Sequence, residues 1–249
     1  MLRIKKFPQI FVSFYIIGYI FAFFALFYKT KLVFAIITFI ISGFINFLYY
    51  RSDGYRSSNL LIKAKKQIDK GNLETAAEYI MQSVQIADNE EVLMQINATI
   101  KKNPEHYGAT AKLLEKRLHE HDTPFLRFII ASFYYVAHDV QKTKQILGDI
   151  PVEQLTVKSG RLLGSVLYEL KDYNRAIKVF SQFDPKRLPK NEDEVAILYG
   201  LAVSHLAKEE TKKAIEYLQR VKAKAPHFGN AEKLLKELTE EAKEPLDKQ

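Results

Sequence analysis

The sequence predicts an all-α protein in which a two-helix transmembrane hairpin precedes an α-solenoid of four to five helix pairs and a C-terminal capping helix. Three observations predict it. Residues 1–50 contain two long uncharged runs, the chain after Arg56 shows helical periodicity without a period-2 run, and a residue pattern recurs every 33 to 38 positions. The implied boundaries are a hairpin over 1–50, with spans at about 7–28 and 32–50, a juxtamembrane linker over 51–59, a repeat domain with its cap over 60–243, and a tail over 244–249.

The hairpin follows from composition and length. Values of 47% hydrophobic residues and a net charge of +8 would describe a basic soluble protein, but they average two populations. Residues 1–50 hold 11 of the 17 Phe and 5 of the 14 Tyr, with Arg3, Lys5, Lys6, Lys29 and Lys31 and no Asp or Glu. Phe7 to Tyr28 is 22 residues without a charge, and Leu32 to Tyr50 is another 19. A helix of either length reaches about 30 Å, the thickness of a hydrocarbon core. A signal peptide has an apolar core of only about 7–15 residues, and no small-residue cleavage site precedes the second run. Nothing else in the chain would cover two uniformly apolar helices in a soluble fold.

Lys29-Thr30-Lys31 is too short a link for anything but antiparallel neighbours. Three bases precede the first span, and Arg51, Arg56, Lys63, Lys65, Lys66 and Lys70 follow the second, against two bases in the loop. The positive-inside rule therefore expects a two-span cell-membrane protein with both termini and the repeat domain cytoplasmic. Tyr28, Tyr49 and Tyr50 fall at span ends, where amphipathic rings favour the interface. Ser13 and Asn46 suit hydrogen bonding between spans, and no ionisable side chain lies within either run to serve a proton or ion path. Lys and Ile richness with no Cys points to a bacterial source; the missing Cys also excludes disulfides, thiolate zinc sites and thiol nucleophiles.

The repeats appear when a small residue is followed by those 12, 16 and 19 positions on. Ala64 leads to Ala76, Ile80 and Ser83; Ala98 to Thr110, Leu114 and Arg117; Ala131 to Thr143, Leu147 and Ile150. Gly164 leads to Ala176, Phe180 and Phe183, and Ala202 to Ala214, Leu218 and Val221. A small residue on each of two antiparallel helices lets their backbones approach while the large one fills the gap to the next pair. Turn signals separate the two small residues, and Asn72, Asp139 and Asp172 are expected to cap each second helix. Pro104 is expected to interrupt or end the first helix of the second pair. Asp184–Asn191, with two Pro and three bases, reads as a longer loop between pairs, and Asn230–Lys243 as the capping helix.

These units resemble the tetratricopeptide repeat (TPR) family, most closely at Lys171-Asp172-Tyr173-Asn174-Arg175-Ala176-Ile177 and from Lys213-Ala214-Ile215 to Ala225-Pro226. The resemblance covers residues 57–226, with the second unit the furthest from the pattern. It implies a superhelix whose concave groove, lined by the first helix of each pair, binds a protein or peptide. Carried onto this chain, the groove comprises Phe128, Ser132 and Tyr135 from the third unit, Lys158, Arg161, Ser165 and Tyr168 from the fourth, and Tyr199 from the fifth. Phe125 and Val203 share the register but are expected to pack between repeats. Tyr and Arg are favourable anchors, and Lys158 with Arg161 suits an acidic partner segment. The Asn-containing carboxylate clamp of chaperone-binding members is not reproduced.

Other function classes find little support. The chain has no GxGxxG, P-loop, HExxH, GxSxG or EF-hand motif, so no enzyme activity, cofactor or metal is expected. His119-Glu120-His121-Asp122 has the residue types of a metal site, but side chains two apart on a helix diverge. Gly160 and Gly164 read as close helix packing rather than a phosphate loop. Residues 1–50 contribute +5 to the net charge, 51–70 contribute +4 and 71–249 contribute −1, so the repeats carry no basic stripe for nucleic acid. The expected function is a membrane-tethered scaffold or adaptor, with membrane lipid and a protein or peptide as partners. The alternative is a membrane subunit of an envelope-building or transport complex, whose hairpin binds other spans. Reversed topology, with an extracytoplasmic domain aiding envelope protein assembly, is a third reading.

Overall fold

The computed structural model describes residues 40–44, 47, 48, 50–98 and 103–241. The expected span 7–28 and most of 32–50 lie outside these residues. Among the described residues no helix is long and apolar enough to cross a membrane. The described part of the second run is helical, and its Ile40, Ile41, Phe44, Phe47 and Leu48 are exposed. The chain divides into two compact units, residues 1–99 and 100–249. That division falls inside 60–243, which was expected as one repeat domain.

In the first unit, α1 (Asp53–Asp69), α2 (Leu73–Val84) and α3 (Glu90–Ala98) follow the apolar segment. Ser52, with φ −64° and ψ 144°, breaks the helical path, and its hydroxyl accepts the Tyr55 N–H at 3.3 Å. Most of the expected linker 51–59 is therefore helix. Ser57 and Ser58 are buried there because each has partners: Ser57 Oγ lies 2.8 Å from Ser83 Oγ and donates to the Ala87 carbonyl, and Ser58 Oγ accepts from Asn89. Leu61, Ala64 and Ile68 of α1 pack with Ala76, Ala77, Ile80 and Met81 of α2, and α3 adds Val92, Leu93 and Ile96 to the buried set.

The second unit contains α4 (Pro104–Lys116), α5 (Pro124–Val136), α6 (Val140–Gly148), α7 (Val157–Glu169), α8 (Tyr173–Gln182), α9 (Glu192–Leu206), α10 (Thr211–Lys224) and α11 (Ala231–Glu241). Three helix hairpins, α5–α6, α7–α8 and α9–α10, stack in order, with α4 against α5 at one end and α11 against α10 at the other. All described residues are helix, turn or irregular, with no strand among them. Pro104 corrects one expectation. It occupies the first turn of α4, where its missing N–H has no helical partner to lose, and so it starts the second helix instead of breaking the first.

The recurring residues mark the core. Ala64, Ala76 and Ile80, then Ala131, Thr143 and Leu147, and Ala202, Ala214 and Leu218 are all at most 2% exposed. Gly164 and Gly160 explain their spacing through what stands where a side chain would: the Phe180 ring lies 2.5 Å from a Cβ built on Gly164, and the Phe183 ring crowds Gly160. The same Phe180 ring lies 2.5 Å from a Cβ built on Gly200, so this 1%-exposed aromatic is wedged between α7 and α9. Close helix packing at the two glycines is therefore what the structure contains. Arg117, at the position where two other units bury Ile150 and Val221, is half-buried and forms a two-bond pair with Glu120.

Each turn inside a pair has one geometry. Gly71, His138, Lys171 and Glu209 stand seven residues after their repeat's first small residue, at φ 81°, 62°, 58° and 60°. The N–H of the next residue reaches back to the first helix, as Asn72 to Gln67, Asp139 to Tyr134, Asp172 to Leu167 and Glu210 to His205, at 2.8–3.0 Å. Of the three expected caps, only Asp139 accepts a backbone N–H, from Lys142 at 3.0 Å. The Asn72 amide donates to Gln67 and Asp172 pairs with Arg175 and Lys144, because these side chains find charged or amide partners on their own surface.

Candidate protein-binding face

The first helices α5, α7 and α9 of the second unit carry every residue of the expected groove. Helical caps hold the starts of all three. Thr123 Oγ1 accepts the Leu126 N–H, Thr156 and Ser159 form a reciprocal capping box, and Asn191 Oδ1 accepts the Glu194 N–H at 2.9 Å.

The structure separates the expected residues into two groups. Phe128 and Ser132 are buried, at 1% and 5% exposure, and Ser132 Oγ donates to the Ile129 carbonyl. Both therefore belong to the core and do not line an open surface. Phe125 is buried as expected, while Val203 is half-buried. Tyr135, Lys158, Arg161, Ser165, Tyr168 and Tyr199 remain partly exposed.

Contacts between successive units fix this second group. Tyr135 donates its hydroxyl to Glu169 at 2.6 Å, a bond from the end of α5 to the end of α7. Burial, then this hydrogen bond, pushes the Tyr135 phenol up to about 12. Arg161 lies 3.2 Å and Lys158 3.8 Å from the Asp193 carboxylate at the start of α9. Both bases were expected to suit an acidic partner segment; within the chain their nearest acid belongs to the next repeat. Tyr168 leans on Tyr173 with ring centroids 5.5 Å apart, and burial followed by the neighbouring phenols of Tyr173 and Tyr199 raises its pKa. Tyr199 meets Phe228 edge-on at 5.7 Å and accepts the Asn230 N–H at 3.5 Å, which holds the connector to α11. Gly229, at φ 55°, is needed there because a Cβ would lie 2.9 Å from the Tyr199 ring.

What is left for a partner is a strip of phenol rings and hydroxyls. Among the described residues, the hydroxyls of Ser165 and Tyr168 meet no hydrogen-bond partner, and Arg161 and Lys158 stand about one and two turns before Ser165 on the same helix. Such a strip suits an extended or helical peptide: rings supply area at low entropic cost and the polar tips supply register. Sequence reading missed Asp193, Glu169 and Tyr173. Asp193 was visible only as one of three acids in the first turn of α9, which signals a helix start without naming the bases it meets.

The metal-like cluster is dispersed. His119 Nδ1 sits 3.0 Å from the Lys116 carbonyl, Glu120 pairs with Arg117, and Asp122 pairs with Arg127. No group of three or more metal-ligating side chains is found among the described residues.

With the hairpins and their face in place, comparison with known proteins gives the class. Residues 196–227, spanning most of α9, its turn and all of α10, match the model of the tetratricopeptide repeat family. The last helix pair is thus a TPR-type unit, and such repeats serve as protein-interaction scaffolds. No curated protein matches the chain.

Proposed function

We propose that the protein is a membrane-tethered TPR scaffold that binds a protein or peptide along the first-helix face of its second unit, at the cytoplasmic side of the cell membrane. The observation that carries the reading is the strip formed by Tyr135, Ser165, Tyr168 and Tyr199 with Lys158 and Arg161, which runs across three successive first helices and is left partly uncovered by the chain's own packing. The tether rests on the uncharged runs of residues 1–50 and on the exposed Ile40, Phe44 and Phe47 ahead of α1. Three bases before the first run and six after the second support the cytoplasmic side.

A pull-down from detergent-solubilised membranes tests the face. Ser165→Arg with Tyr168→Ala alters the strip without touching the Asp193 pairs, and it is expected to lose the partner while the circular-dichroism melt stays put. Full retention of the partner by this folded variant contradicts the assignment. Labelling of a single Cys placed at Lys190 from outside intact cells contradicts the cytoplasmic side.

A further inference from the structure

We propose that the solvent face of α1 is a docking surface for anionic lipid headgroups, which lays this helix along the membrane. The inference rests on the tether for the position of that membrane. Arg56, Lys63, Lys66 and Lys70 are separated by seven, three and four residues, intervals that return to one side of a helix. All four are exposed, and the opposite side of α1 carries the buried Ser57, Leu61, Ala64 and Ile68. No acid interrupts the stripe. Asp53 and Asp69 stand at the helix ends, paired with Arg56 at 3.4 Å and with Lys65 at 2.6 Å. Lys63 sits 5.9 Å over the Tyr79 ring of α2, which keeps its stem on the surface with the ammonium outward.

Two further observations select lipid. The stripe follows the exposed Ile40, Ile41, Phe44, Phe47, Leu48 and Tyr50, and Arg51 lies 5.9 Å over the Phe47 ring at the junction. The helical path breaks at Ser52, so α1 does not continue the axis of the preceding segment. Geometry then makes the stripe informative. Lys70 is about 30 Å of helix beyond Tyr50, whereas attraction to a charged surface decays over about 10 Å at 0.1 M salt. Lys63, Lys66 and Lys70 therefore feel the headgroups only when α1 lies flat. Nucleic acid fits less well, because the exposed apolar Ile40, Ile41, Phe44, Phe47 and Leu48 adjoining the stripe offer nothing to a phosphate backbone.

The chain has no Cys, so Asn59→Cys in the same stripe accepts a single fluorophore. The full chain is reconstituted into vesicles of phosphatidylcholine alone, or with phosphatidylglycerol, each carrying a headgroup acceptor. Energy transfer is expected to rise with phosphatidylglycerol and to collapse as salt goes from about 0.1 M to about 1 M. Exchanging Lys63, Lys66 and Lys70 for Gln is expected to reduce the docked-to-free ratio about 100-fold, at roughly fivefold per base. Flotation separates the two ideas. A chain that floats with both vesicle types but shows no anionic-lipid response overturns the docking and leaves the tether. Salt-sensitive flotation with anionic vesicles alone keeps the docking and overturns the tether, and flotation with neither overturns both. A DNA duplex retained by the parent chain and not by the triple variant, without a vesicle response, overturns the docking in favour of nucleic acid.

Discussion

The turns inside helix pairs and the connectors between pairs solve their local problems in opposite ways. Four inside turns share one left-handed residue and one back-reaching hydrogen bond, although the residue is Gly in one and His, Lys or Glu in the others. The connectors share no single device, although 3-10 turns occur in two of them, Leu118–Glu120 between α4 and α5 and Val152–Gln154 between α6 and α7. Between α2 and α3, Ser57, Ser83 and Asn89 hold the chain; between α6 and α7 it is a 3-10 turn at Val152–Gln154. Between α8 and α9 an ion-pair cluster does so, and between α10 and α11 the Tyr199 ring. Packing two helices around small residues leaves one geometry for the link, so packing dictates the turn whatever the local preference. A connector only has to span a distance, and each is stabilised by its own contacts.

The largest expected effect breaks the packing that imposes the shared turns. Phe180→Ala removes the ring wedged between Gly164 and Gly200 and is expected to destabilise the second unit by about 3–5 kcal/mol. Because the chain lacks Trp, a circular-dichroism denaturant titration is the suitable measurement. A loss under 1 kcal/mol would mean that the two glycines do not hold this aromatic.

The next effect belongs to a connector. The Asp184 side chain is 3% exposed and accepts from Arg220 Nη2 at 2.7 Å, the Lys186 N–H at 3.1 Å and Lys186 Nζ at 3.0 Å. Burial alone would raise its pKa, but these donors outweigh it and bring it down to about 2. A carboxylate depressed in the folded state contributes stability that is complete above its unfolded pKa, about 4, and lost as pH falls toward 2. The contribution is about 2 kcal/mol. Arg220→Met is expected to flatten the stability-against-pH curve between about pH 4 and pH 2. A variant curve parallel to that of the parent chain contradicts the assignment.

The same contrast explains what could be read from sequence. Small residues and their large companions recur because packing demands it, so the helix pairs, the longer Asp184–Asn191 loop and the capping helix were all legible. Pair partners across connectors, such as Asp193 for Arg161 or Glu169 for Tyr135, follow no period and surfaced only in three dimensions. Phe128 was misplaced for a related reason. Register puts it on the groove-lining positions of α5, but it is buried at 1% exposure, and register carries no information on what closes over a side chain. The second unit of the pattern diverged most, and there the chain divides, with α3 and α4 in separate compact units.

A smaller effect separates turns of identical backbone. Asp139 caps α6 through the Lys142 N–H, whereas Asp172, at the same place before α8, points to Arg175 and Lys144. Asp139→Ala is expected to cost about 1 kcal/mol and Asp172→Ala less than about 0.5 kcal/mol, since exposed pairs contribute little. Equal losses in the two melts contradict the distinction.

The smallest effect tests whether packing sets the turn. At φ 58°, Lys171 holds a conformation that costs an L-residue about 1–2 kcal/mol and glycine nothing. Glycine also loosens the unfolded chain, which costs about 0.4–1 kcal/mol, so Lys171→Gly should stabilise by a net of roughly 0.5 kcal/mol. Gly71→Ala, at φ 81°, reverses both terms and should destabilise by a similar amount. Opposite shifts in the two denaturation midpoints support imposition by packing; a destabilised Lys171→Gly contradicts it, because the only contact changed is the strain that the helix pair overcomes.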